Sequence, residues 1–281
     1  MSDDGRALVL GGGGVAGIAW LTGVIAGLAR AGTDVTGADL LLGTSAGATV
    51  AAQVGSSIPV DEMFARQADP ELQTRELVPS GGMSPAEIME VLARLVEENG
   101  GDLTAVRQQI GARALAAETV PERERLAVIE ARLPVHEWPA RTLRVTAVNA
   151  LTGEPRVFDR ESGVGLVDAV AASSAVPMIW PPVTIDGVRY VDGGVRTMTN
   201  LDLAAGYGRV LLLAPLPDPA LDAGVAAVAE KGGRVEVISP DEPSLAAFGT
   251  DPLSPSTRTP AAKAGLAQGE ALAAKVAAFW S

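Results

Sequence analysis

The chain contains no cysteine and a single histidine. The first absence excludes disulfides, thiolate zinc sites and a cysteine nucleophile; the second excludes a multi-histidine metal site and leaves only carboxylates to ligate a metal. Nothing in the sequence asks for a metal or an organic cofactor. Positive charge is also scarce: 22 Lys and Arg stand against 34 Asp and Glu, a net charge of −12. That balance speaks against nucleic acid as the main partner and against broad adsorption to anionic lipid, while leaving a local basic patch open. No apolar run approaches the roughly 18 residues of a membrane span. The start, MSDDG, lacks the basic residues and longer apolar core of a secretory signal, so a cytoplasmic, water-soluble protein is expected.

What is present is enough for a large core: 281 residues, 47% hydrophobic and 20% charged. The first part alternates strand and helix. Ala7–Leu10 and Leu40–Leu42 are short apolar strands, each followed by a helix, from Gly17 to about Ala31 and from Ala46 to Val54. This order implies a parallel sheet with helices packed on it. From Pro59 to about Leu133 no strand is convincing. Ser84 to Glu87 reads as a capping box, and Leu103–Ala117 and Glu122–Leu133 as further helices. This helical insert, about 59–135, is either a cap over a site or plain packing at a sheet edge. Strands return at Thr142–Asn149 and Pro155–Asp159, a helix at Gly165–Ser174, and a hairpin at Val183–Val191 around Asp186-Gly187. Val210–Leu213 and Val235–Ile238 read as buried strands around a helix at Leu221–Ala229, and Pro260–Trp280 as a final helix. The expectation is one α/β domain over 1–281.

ALVLGGGGVAG is a strand, a glycine turn and a helix, with Gly12, Gly14 and Gly17 spaced as GxGxxG. Such a loop turns backbone N–H groups toward a ligand at a helix N-terminus. A dinucleotide site needs an acid at the end of the second strand, but the nearest, Asp39, precedes that strand. A triphosphate loop needs a lysine after its last glycine, and Gly17 is followed by Ile18. An oxyanion site fits better, because the second strand delivers a serine to the same sheet edge. The plain alternative is a turn that only lets helix and strand pack closely.

That serine is Ser45 in Gly43-Thr44-Ser45-Ala46-Gly47, a GxSxG between strand and helix. A nucleophile on a strained turn needs small neighbours, here Gly43 and Gly47, and the Ala46 amide at the helix start is placed to donate to an oxyanion. The alternative for Ser45 is a helix N-cap.

A serine nucleophile needs a base. His136, in LPVHEWPA, lies among prolines and apolar residues and reads as a loop anchor or partly buried structural residue. Asp192, at the end of VRYVDGG, is the carboxylate alternative: it closes a strand and is followed by Gly193 and Gly194, which permit close approach of another backbone. A turn aspartate is the competing role.

GGGGVAG, GTSAG and DGG, in this order, resemble the motifs of the patatin-like phospholipases, as do Leu8 to Gly32 and Ala169 to Val195 around them. The resemblance implies a three-layer α/β/α fold with a mostly parallel sheet. It also implies a lipid acyl hydrolase with no cofactor, Ser45 as nucleophile and Asp192 as base, working through an acyl-serine. Gly13 and Gly14 would then supply the oxyanion hole with Ala46. A lipid or other acyl ester would be the substrate, met through transient peripheral contact with a membrane; a thioesterase or acyltransferase would use the same dyad. The basic residue common in that family two positions after the GGG run is Ala16 here, which leaves room for substrates without a charged headgroup. Met63, Phe64, Met83 and Met89 are candidates for an apolar cleft or for core, and Trp180 for the cleft mouth. Oligomeric state is not specified.

Overall fold

A computed structural model describes residues 5–78 and 85–281. Strands β1 (Arg6–Leu10) and β2 (Leu40–Gly43) pair in parallel, with helix α1 (Gly14–Arg30) between them and α2 (Ala46–Gly55) after β2. Helices α3 (Val60–Ala68), α4 (Pro85–Glu98), α5 (Leu103–Ala116) and α6 (Glu122–Arg132) form the insert. Then come β3 (Thr142–Asn149), β4 (Pro155–Phe158), α7 (Leu166–Ser173), β5 (Val183–Ile185), β6 (Val188–Asp192), β7 (Arg209–Leu213), α8 (Leu221–Ala229), β8 (Arg234–Ile238), α9 (Glu242–Phe248) and α10 (Arg258–Trp280).

The sheet runs β5-β6-β3-β2-β1-β7-β8, with β4 also on β3. Its centre, β3-β2-β1-β7-β8, is parallel; β4, β5 and β6 extend it antiparallel. Every residue of β2 is buried, and alternate residues of the central strands feed two separate cores. Leu8, Leu41 and Leu211 face α1, α2 and α10; Val9, Leu42 and Leu212 face α8 and the turn at Leu201–Ala204. A strand apolar on both faces requires a helical layer on each, which is the expected three-layer arrangement.

The last helix is held by close approach. A Cβ on Gly23 or Gly27 of α1 would lie 2.3 or 2.1 Å from backbone oxygens of Ala262 or Leu266 in α10. Gly265 and Gly269 of α10 are equally tight against Trp20 and Val24, so four glycines set this helix–helix distance.

Several local expectations change. Helix α1 starts at Gly14 rather than Gly17, so the glycine loop runs into the helix itself. Helix α3 falls within the expected helical insert, though without predicted bounds of its own, and α9, only seven residues long, was not expected. Strand β8 is only partly buried, because it is the sheet's edge. Ser84 of the expected capping box, Met83 and the Met89 side chain lie outside the described residues.

Candidate active site

Ser45 sits between β2 and α2 with φ 55° and ψ −115°, a conformation unfavourable for any residue with a Cβ. The surroundings hold it there. The Ser45 N–H donates to Ser173 Oγ at 2.9 Å, and the Thr44 N–H donates to Leu10 O at 3.0 Å. Gly47 must lack a side chain, because a Cβ there would stand 1.9 Å from Leu10 O. Helix α2 can therefore start directly against the end of β1, with Ser45 8% exposed at the junction. Ser45 makes no side-chain cap bond to α2, which removes the N-cap role.

The glycine loop crosses in front of this turn. Gly11 and Gly12 spend their N–H groups on Leu213 O and Met198 O, at 3.0 and 2.9 Å. Among the described residues, the N–H groups of Gly13, Gly14 and Ala46 have no hydrogen-bond partner. Gly14 has φ +62°, and a Cβ on it would meet Pro252 O and Leu253 Cδ2 at 2.8 Å each. A Cβ on Gly12 would lie 3.6 Å from that of Ser45, so the loop faces the serine. Gly17 serves packing, with Ala46 Cβ at 3.3 Å from where its own Cβ would be.

Asp192 arrives from the opposite direction. It ends β6, which is antiparallel to β3, and is 5% exposed. Its Oδ1 accepts the Gly194 N–H at 2.7 Å, while the buried Oδ2 has no hydrogen-bond partner among the described residues. Burial pushes the Asp192 pKa up to about 6, against the pull of the Ser45 hydroxyl, the Gly194 N–H and Arg125.

Residues of no obvious chemical type lock the two turns together. Asn200, fully buried, donates to Thr44 Oγ1 at 3.0 Å, Thr146 Oγ1 at 3.3 Å and Gly193 O at 3.2 Å. Thr44 and Thr146 hydroxyls are 3.0 Å apart. Asn200 therefore touches the neighbours of both Ser45 and Asp192. Sequence reasoning did not select Asn200, Thr146 or Ser173. The adjacent serines in AVAASSAVP were the one visible hint, polar residues in a run of small apolar ones.

Two cavities meet at Ser45. The larger, about 150 Å³, is lined by Gly12–Gly14, Ser45 and Asp192 and otherwise by apolar side chains, including Ile88, Ile110, Met178 and Met198. The insert thus covers the site through α4 and α5. The smaller, about 20 Å³, is mixed in character: Ser45, Glu76, Arg125 and Arg132 border it together with apolar residues such as Val15, Ile18, Leu77 and Trp180, and with Ala46. Of the residues proposed for a cleft, Trp180 borders it, but buried rather than at a mouth. Met63 is core and Phe64 packs against that core beneath Arg30; neither lines these cavities.

His136 is a surface residue, not a buried one. Its ring faces Glu130, with Nδ1 3.9 Å from Oε1, and it lines neither cavity. Asp39 receives the Arg6 N–H at the far end of β1, away from the glycine loop. Among the described residues no group of three or more His, Cys, Asp and Glu side chains is arranged to hold a metal ion, and no helix is long and apolar enough to cross a membrane.

Comparison with known proteins places this geometry in context. A family model described as patatin-like phospholipase matches residues 8–205, which include the glycine loop, the serine turn and Asp192. Among solved structures, VipD from Legionella pneumophila is similar with a TM-score of 0.45 at 12% identity, covering 97% of this chain and 67% of that one. No curated protein matches the chain.

Proposed function

The chain belongs to the patatin-like phospholipase family, and we propose that it hydrolyses lipid carboxylic esters through a Ser45–Asp192 dyad. One observation carries the reading: Ser45, the free oxygen of Asp192 and the unpaired N–H groups of Gly13 and Gly14 border one apolar cavity.

In this mechanism Ser45 Oγ attacks the ester carbonyl while Asp192 Oδ2 accepts its proton. The carbonyl oxygen becomes an oxyanion, met by the N–H groups of Gly13, Gly14 and Ala46. Collapse of the tetrahedral intermediate breaks the ester C–O bond, and Asp192 returns the proton to the departing alcohol. Water, deprotonated by Asp192, then attacks the acyl-serine and releases the acid. A carboxylate is ordinarily a weaker base than imidazole by about two and a half pKa units. Burial of Asp192 recovers most of that difference while leaving it ionised at neutral pH. The apolar cavity takes the acyl chain.

The test is covalent labelling with a fluorophosphonate together with hydrolysis of short and long acyl esters. Wild type is expected to label at Ser45 and to turn over esters. Ser45→Ala is expected to do neither, and Asp192→Asn to lose turnover. Full activity in either variant refutes the dyad, and release of free acid rather than an acylated acceptor separates hydrolysis from transfer.

A further inference from the structure

The small cavity beside Ser45 holds more positive charge than its partners neutralise. Arg125, Arg132 and Arg258 converge on one buried carboxylate, Glu76. Arg132 takes both its oxygens, from Nε to Oε1 at 2.9 Å and from Nη2 to Oε2 at 2.6 Å, and Arg258 also bonds Oε1. Arg125 is left with a 3.8 Å contact to Oε2. Among the described residues its Nε and Nη1 have no hydrogen-bond partner, although the residue is only 5% exposed. Its guanidinium lies 4.0 Å over the Trp180 ring, which fixes its plane. The other carboxylate acting on it is Asp192. With both carboxylates ionised, three guanidiniums face two negative charges, and one positive charge remains.

A buried guanidinium with two nitrogens left without hydrogen bonds is unfavourable unless something completes it. Burial pushes the Arg125 pKa down to about 9. What it offers is a forked donor set suited to phosphoryl or carboxylate oxygens. The cavity, at about 20 Å³, has room for one water-sized group, the size of a single anionic oxygen. Its walls include Ser45 and Ala46, so that oxygen would stand beside the reacting ester. The acyl chain has the larger, apolar cavity, which leaves the smaller one with its arginines to the alcohol side.

We propose that Arg125 forms an anion subsite that receives a non-bridging phosphodiester oxygen on the alcohol side of the scissile ester. A phosphodiester carries one negative charge, matching the one left unbalanced. The cation thus comes from α6 in the helical insert rather than from the glycine loop, where Ala16 stands. The inference rests on Ser45 being the acyl nucleophile.

The experiment compares lysophosphatidylglycerol and monoacylglycerol of the same acyl chain, using the full chain. Arg125→Met is expected to lower the ratio of kcat/KM for the phosphodiester ester over the neutral ester by about tenfold or more, with Arg125→Lys recovering part of it. An unchanged ratio overturns the subsite, because a purely structural role, or one acting only through Asp192, would slow both substrates alike. Glycerophosphoglycerol is expected to inhibit wild-type monoacylglycerol hydrolysis competitively and inorganic phosphate to inhibit much less; equal inhibition would mark a free-phosphate site and overturn the headgroup assignment. Should Arg125→Met not fold, the wild-type comparison decides: equal kcat/KM on the two esters overturns the proposal. Should wild type hydrolyse neither ester, the hydrolase reading fails by itself. The subsite is then read from thermal stabilisation by glycerophosphoglycerol, present in wild type and weaker in Arg125→Lys if it exists, absent in both if it does not.

Discussion

Gly43 and Asp192 meet on one edge of β3: Gly43 pairs with Val145, and Asp192 pairs with Ala147. Strand β4 occupies the opposite edge over Val145–Val148, so β2 and β6 share the same side and run toward each other. Their C-terminal ends face across a gap of one β3 residue, Thr146. Ser45 leaves one end and Asp192 closes the other, and the Thr146 hydroxyl bridges between them through Thr44 and Asn200. The juxtaposition of Ser45 and Asp192 is thus a consequence of β6 running antiparallel to β3 on the edge where β2 runs parallel to it.

Ser45 holds a backbone conformation that only glycine adopts without strain, so removing its Cβ relieves that strain. Ser45→Gly is expected to abolish ester hydrolysis and fluorophosphonate labelling while stabilising the fold by about 1 kcal/mol, a Tm rise of roughly 2–4 °C. Calorimetry beside the activity assay checks this; a Tm equal to or below wild type would place the strain elsewhere.

Asp192 must be ionised to accept a proton, and its pKa is about 6. Activity is therefore expected to rise with pH through about 6 and level off above it. Stability runs the other way. The folded pKa lies above the unfolded value, so between about pH 4 and 6 the folded state binds the extra proton, and stability falls as pH rises through that window. Asp192→Asn keeps an oxygen for the Gly194 N–H and removes the buried charge. It is expected to be inactive yet more stable than wild type at pH 7 by about 1–3 kcal/mol, with the advantage fading toward pH 4. Denaturant titrations at pH 4 and 7 measure it.

Asn200 ties the neighbours of Ser45 to those of Asp192 through one buried amide. Asn200→Ala leaves several of those groups unpaired and should cost about 2–4 kcal/mol. Turnover should fall about 10- to 100-fold through kcat, with KM little changed, because the reacting groups lose alignment rather than substrate contacts. Asn200 has φ 51°, so Asn200→Gly serves as control: it relaxes the backbone yet loses the amide, and it should show the same kcat defect.

Glu76 is the counter-charge for the cluster behind Ser45. Burial raises its pKa, but Arg132, Arg258 and Arg125 outweigh that and hold the carboxyl below its ordinary value. Its stabilising contribution is therefore complete above the unfolded value of about 4.3 and is lost as pH falls through the lower folded value. Glu76→Gln leaves three guanidiniums without this partner and should destabilise the protein by about 3–5 kcal/mol at pH 7. The gap to wild type should close in acid, as the wild-type carboxyl also becomes neutral; urea melts at pH 7 and pH 3 test both halves.

Residue types and spacing alone determined that the central strands β1, β2 and β7 would be buried on both faces, where the glycine loop and GxSxG turn would fall, and that the chain holds one histidine. Those are local properties: period, turn chemistry and inventory travel with the sequence. Asp192 was selected as a carboxylate closing a strand, yet the reason it reaches Ser45 is that β6 runs antiparallel, and strand direction depends on pairing partners far along the chain. Asn200, Thr146 and Ser173 carry no signature, since an amide or hydroxyl becomes structural only when burial makes its hydrogen bonds obligatory. The same holds for Arg125, one of many arginines in the sequence. Only the packing of α6 over Trp180, and the hydrogen bonding of both Glu76 oxygens by Arg132 and Arg258, left two of its buried nitrogens without hydrogen bonds beside the serine.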